Sequence, residues 1–170
     1  LIILLSLLLT SPAAAADFNP NTIISDQELQ DAEAMGRAEI DNFLRTKKSP
    51  LATMTMPDLT GVTQPVSEII YQAAQTYHIN PKYLLVKLQK EQSLVTDDTP
   101  TQKQLDWAAG YGVCDSCSME DPKVIKFKGF GKQVDNAGGL IRWYYNNTDK
   151  SFVKKKDQNT TIDNQIIVPQ

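Results

Sequence analysis

The chain has 170 residues, 41% of them hydrophobic, and a net charge of −3. That allows one domain of ordinary size with a core of its own. The acidic balance excludes nucleic acid as the natural partner, because phosphate binding rests on clustered Lys and Arg. The one basic run, Lys154-Lys155-Lys156, reads as a solvated strand edge.

Residues 1–16, "LIILLSLLLTSPAAAA", are an apolar run followed by small residues, the pattern of a secretory signal peptide with its cleavage site. The apolar core is too short for a membrane span, so no membrane association is expected after cleavage, and the mature chain is placed outside the cell or in its envelope. The missing initiator Met and the strand-like ending predict a chain that continues beyond both ends.

Residues 17–65 read as an N-terminal helical segment and a connector. "SDQE", Ser25 to Glu28, fits a capping box. A helix follows to about Leu44, weakened at Gly36, with Ile40, Phe43 and Leu44 at helical spacing. Pro50, Pro57, Gly61 and Pro65 then mark a connector with room for one short strand.

Residues 66–150 carry the sharpest pattern. Val66, Ile69, Ile70, Ala73, Ala74 and Tyr77 share one helical face. Asn80 suits an N-cap and Pro81 the first helical position. The next helix takes Leu84, Leu85, Leu88 and Val95 as its stripe. A short helix is expected within 101–109, and "GYGVCDSCSMEDP" reads as loop. A last helix from about Lys132 to Asn146 is expected to bury Val134, Ala137, Leu140, Ile141 and Tyr144. Residues 151–170 read as a β-hairpin turning near "IDNQ". The fold class is therefore mainly α, with a small C-terminal β-hairpin.

Cys114 and Cys117 form "CDSC". In an exported chain a structural disulfide is the first expectation. Two Cys and one His are too few for a zinc site, so no metal is predicted. A redox pair of thioredoxin type needs a strand before it and a helix after it, and here both flanks read as loop.

"KLQKEQSLV", Lys87 to Val95, holds the carboxylate of most interest. At about 100° per residue, Glu91 lies roughly 20° from Leu84, at the edge of the apolar stripe on the side of Lys87. Burial and the negative end of the helix dipole would raise its pKa, as a general acid requires. Lys87 and Lys90 oppose that shift if they come close.

"AAQTYHINPKYLLVKLQKEQSLV" resembles the opening motif of the lytic transglycosylase and goose-type lysozyme group, in which a helix of this kind ends on the catalytic Glu. Glu91 falls on that Glu. The longer stretch "LLVKLQKEQSLVTDDTPTQKQLDWAAGYGVCDSC" is similar to exported bacterial lysozyme-like proteins that carry an "LQKEQSL" motif. The departures are Gln92 where the group has Ser, and "AAGYGVCDS" in place of its "GLMQ" motif.

The resemblance implies a lysozyme-like helical domain that cleaves peptidoglycan glycan strands, with Glu91 as general acid/base and no cofactor. Hydrolases add a second carboxylate, for which Asp97, Asp98, Asp106 and Asp115 are the candidates, Asp97 and Asp98 first because they follow the Glu helix closely; a transglycosylase works with one Glu. Substrate contacts are expected from Gln92, from Tyr111 between two glycines that let a ligand approach, and from Tyr144 or Tyr145, which match the group's cleft tyrosine. The alternative function is a non-catalytic wall-binding or surface module that retains this fold.

Overall fold

The computed structural model describes residues 24–155 and 157–168; the expected signal peptide lies outside them. Ile24–Lys155 form one compact unit, and the C-terminal hairpin belongs to a second, described by itself.

The N-terminal segment folds as short pieces. Ser25 caps α1 (Asp26–Leu29): its Oγ accepts from the Glu28 amide at 3.2 Å, while Glu28 Oε2 accepts from the Ser25 amide at 3.0 Å. The expected single helix does not continue from there. Asp31 caps a 3-10 turn, Ala32–Ala34, by accepting from the Glu33 amide, and Gly36 opens α2 (Arg37–Thr46). Local side-chain caps outcompete the helical ladder at both breaks.

The connector forms two strands rather than one. β1 (Thr55–Pro57) pairs antiparallel with β2 (Thr63–Pro65), Met56 opposite Gln64. Asp58 organises the turn, its Oδ1 accepting from the amides of Thr60 and Val62 at 2.8 and 3.0 Å.

The central helix is α3 (Val66–Tyr77), which packs against α2, against α4 (Pro81–Gln92) and against α7 (Phe130–Asn146). Ile40, Leu44, Ile70, Leu84, Leu88, Leu94 and Val134 are among the residues sealed in this core. Each such side chain contributes about 1.5–3 kcal/mol on full burial. The face that α7 turns to α3 is cut back to glycine: a Cβ on Gly138 would lie 2.9 Å from Cδ2 of Tyr77. The Tyr77 hydroxyl donates to Asp135 Oδ2 at 3.0 Å. Burial, reinforced by Asp135, pushes the Tyr77 phenol up to about 12, and burial also raises Asp135.

α3 ends where His78 turns left-handed (φ 49°), and Arg142 caps that end by donating to the carbonyls of Tyr77 and His78 at 2.7 and 2.6 Å. Asn80 then caps α4 as expected, its Oδ1 accepting from the Lys82 amide at 2.9 Å, with Pro81 at the first position.

Two expectations are corrected. α4 stops at Gln92, because Ser93 turns left-handed (φ 58°); Leu94 and Val95 are buried from the following loop, not from a helical stripe. In α7 the buried residues are Phe130, Gly131, Gln133, Val134, Ala137 and Gly138, whereas Leu140 and Tyr144 are exposed. The helix leaves the core as it passes the end of α3, so its last two turns meet solvent on more sides.

Short helices α5 (Gln102–Asp106) and α6 (Pro122–Ile125) flank the predicted loop, which is closed by a Cys114–Cys117 disulfide. In the second unit, β3 (Thr160–Ile162) pairs with β4 (Gln165–Ile167). Asp163 and Asn164, both at positive φ (49° and 62°), make the two-residue turn that favours right-twisted hairpins. The described residues thus hold seven α-helices and two small antiparallel sheets, a mainly α fold.

Candidate functional site

Glu91 occupies the last turn of α4, four residues after Lys87 and thus on the same side of the helix. Lys87 Nζ donates to its Oε1 at 2.7 Å and Lys90 Nζ reaches the same oxygen at 3.5 Å. The Glu91 side chain is 27% exposed. Its other oxygen, Oε2, lies against the Gly110 backbone, where a Cβ would approach it to 2.8 Å. The carboxylate is therefore held between a lysine and a glycine turn.

This geometry reverses the expected shift. The Lys87 hydrogen bond, only partly opposed by burial, lowers the Glu91 pKa below the usual carboxylate range, and the charges of Lys87 and Lys90 lower it further. The upward push of burial is present, but a cation in direct contact outweighs it. The negative charge in turn reaches Tyr83, two turns earlier, whose phenol is raised by burial first and by Glu91 second.

The turn facing Glu91 is built around Gln133 of α7, a residue that sequence reasoning missed. Gln133 is fully buried. Its Oε1 accepts from the amides of Ala109 and Tyr111 at 3.3 and 2.9 Å, and its Nε2 donates to the carbonyls of Tyr111 and Phe127 at 3.0 and 2.9 Å. All four hydrogen-bonding positions of the amide are filled. Gly110 and Gly112 adopt φ values of 64° and 75°, so the chain can wrap around this amide. Tyr111 sits half-buried with its ring edge-on to Phe127, centroids 5.0 Å apart. The available signal was a polar residue on the apolar face of α7, between Phe130 and Val134.

The other sequence candidates are distributed unevenly. Gln92 follows Glu91, and its backbone carbonyl accepts from Gln104 Nε2 at 3.1 Å. Gln104 also donates to Asp97 Oδ2 at 2.7 Å, and Asp97 Oδ1 accepts from the Thr99 amide at 3.0 Å. These bonds, the Thr99 amide first, lower the Asp97 pKa and tie it to its loop. Asp98 is exposed. Neither carboxylate hydrogen-bonds to Glu91 or to its lysine partners.

Tyr144 and Tyr145 are not brought to Glu91's neighbourhood through Gln133. They sit 11 and 12 positions further along α7, about 17 Å at 1.5 Å per residue. The Tyr145 hydroxyl donates to Asp26 Oδ1 at 2.8 Å; burial, then Asp26, pushes its phenol up to about 12, and it joins α1 to α7. Tyr144 lies outward in an exposed aromatic group with Trp143 and Phe152.

Among the hollows that indent the described surface are three of about 630, 620 and 250 Å³, and Glu91 lines none of these three. The first lies between the Asp58–Gly61 turn and the start of α7, and holds Gln102, Asp106 and Lys128 in its wall. Lys128 Nζ pairs with Asp106 Oδ2 there at 3.3 Å. No group of three or more His, Cys, Asp or Glu suited to a metal occurs among the described residues.

Comparison with curated proteins and with solved structures yields no match. A family model does match: the LasA N-terminal domain, over residues 22–167. That family is one of exported bacterial proteins, and no described helix is long and apolar enough to cross a membrane. The matched span takes in Glu91, Gln133, the disulfide loop and the C-terminal hairpin, and the chain belongs to the LasA N-terminal domain family.

Proposed function

We propose that this exported domain is lysozyme-like and cleaves the glycan strands of peptidoglycan, with Glu91 as general acid/base. The observation that carries the reading is the placement of Glu91: a partly exposed carboxylate at a helix end, set against a glycine turn that a buried amide holds rigid. A carboxyl so placed protonates the glycosidic oxygen as the bond to C1 breaks, and its anion then stabilises the oxocarbenium-like sugar.

Asp97 is bound within its own loop, which favours the single-carboxylate route over one with a second carboxylate. On that route the Glu91 anion takes the proton from the sugar's own 6-hydroxyl as this oxygen attacks C1, leaving a 1,6-anhydro end. Glu91 is an anion at neutral pH, as any unperturbed Glu is, and Lys87 lowers its pKa further, so the acid step strengthens as pH falls toward that lowered pKa.

The test is digestion of purified peptidoglycan by the protein from Asp17 onward. Native protein releases fragments with anhydro ends, identified by mass spectrometry, and Glu91→Gln releases none. Full activity in Glu91→Gln would sink the assignment. One observation favours the second reading, a glycan-binding module without catalysis: the Lys87 pair holds Glu91 in the form that cannot donate a proton. That module would retain peptidoglycan in a pull-down, with no cleavage, and Glu91→Gln would leave its affinity unchanged.

A further inference from the structure

The 620 Å³ hollow lies on the other side of α4 from Glu91. Lys82, Leu85, Val86 and Gln89 line it from that helix. At about 100° per residue they fall roughly 120–180° around the axis from Glu91, so what binds here is independent of the wall-cleaving reading. The volume falls within the range of about 300–1,000 Å³ typical of small-molecule sites.

Its floor is apolar. Met35, Phe43, Leu85, Val86 and Val95 contribute, and Val86 is 63% exposed in the middle of a helix, where a polar residue would be no harder to place. The polar groups on the wall divide into two sets. Glu39 Oε2 already accepts from the Gly36 amide at 2.7 Å. Gln89 Oε1 accepts from the Val95 amide at 3.1 Å, and its Nε2 donates to Thr96 Oγ1 at 2.9 Å. Those three residues are thus bonded within the fold.

Lys47 and Lys82 make the second set, and neither forms an ion pair among the described residues. Glu28, which feels the Lys82 charge, receives the amide and hydroxyl of Ser25 at 3.0 and 2.7 Å. The hollow therefore offers an apolar floor and two cations without a salt-bridge partner, the Lys47 ammonium lying over the Phe43 ring at 5.7 Å from its centroid. A ligand complementary to it has an aliphatic body and a negative end. No strand lines the hollow, so an extended peptide would find no backbone edge to pair with.

We propose that this hollow binds a single-chain anionic amphiphile, its aliphatic chain on the Phe43–Val86 floor and its acidic head paired with Lys47 and Lys82. The probes are dodecyl phosphate, dodecyltrimethylammonium and dodecyl maltoside, each below its micelle concentration, titrated into the full chain by calorimetry. Saturable one-to-one binding of dodecyl phosphate is expected, at least about tenfold tighter than the other two. Val86→Glu, at an exposed helical position, weakens it about tenfold or more while the circular-dichroism melt is kept. Lys47→Glu with Lys82→Glu removes the preference for phosphate and leaves the melt unchanged, which keeps the test decisive if Val86→Glu is unstable. Absence of saturable binding, equal affinity for the three heads, or native affinity in the lysine double variant would overturn the proposal.

Discussion

Glu91 and Gln133 approach the same turn from two helices and are held in opposite ways. Gln133 is neutral, sealed from solvent and bonded four times to main chain. Glu91 is charged, about a quarter exposed, and held by side chains that can themselves move. Neutral hydrogen bonds in the interior are costly to lose, because the orphaned groups cannot reach water. A partly exposed ion pair is cheap to lose, because water replaces the partner. The scaffold of the site therefore rests on the amide, and the carboxylate keeps its freedom to change protonation state or partner.

The largest expected effect tests the amide. Gln133→Leu keeps a comparable volume but strands the amides of Ala109 and Tyr111 and two carbonyls. At about 1–3 kcal/mol per buried group, with partial relaxation, roughly 3–5 kcal/mol of stability is lost, read from the denaturant midpoint. A loss under about 1 kcal/mol would break the contrast.

Gly110→Ala comes next. It strains a left-handed residue by about 1–2 kcal/mol and drives a methyl toward Glu91 Oε2. The Glu91 carboxyl resonance should move with the turn, and an unmoved resonance would separate Glu91 from the loop.

The smallest stability effect is expected for Lys87→Met, less than about 1 kcal/mol at neutral pH. Its signature is in pH. A carboxyl held below its unfolded value of about 4.3 stabilises the fold above that pH, and the contribution is lost as pH falls through the folded pKa. Lys87→Met weakens this dependence, leaving the share that Lys90 supplies, raises the Glu91 pKa and moves the acidic rise of glycan-cleaving activity toward neutral pH. An unchanged carboxyl titration, followed by NMR, would show that Lys87 does not hold the charge.

Much of this was legible along the chain, and the reasons differ by residue. The Ser25–Glu28 box, the Asn80-Pro81 start and the Asp163-Asn164 turn are local: each bond spans a few residues, so residue type and spacing determine it. The stop of α4 at Ser93 was not legible, because nothing in Ser itself demands a left-handed backbone; the burial of Leu94 and Val95 does. Gln133 was not singled out in the sequence, since its partners lie 6 to 24 positions away. Tyr144 read as a core residue and instead faces solvent, and Tyr145 bonds to α1, 119 positions earlier, a partner that helix spacing could not show.

What the sequence alone determined was a mainly α chain, a cysteine pair close enough to bridge, and Glu91 at a helix end on the side of Lys87. These follow from periodicity and short-range spacing, which operate before the chain folds up. The direction of the Glu91 pKa shift, the turn it faces and the amide behind that turn were decided by tertiary structure. A pKa depends on how near a cation lies and how much water remains, and helix spacing showed only that Lys87 was within reach. Packing α4 and α7 about a common glycine turn settled the rest.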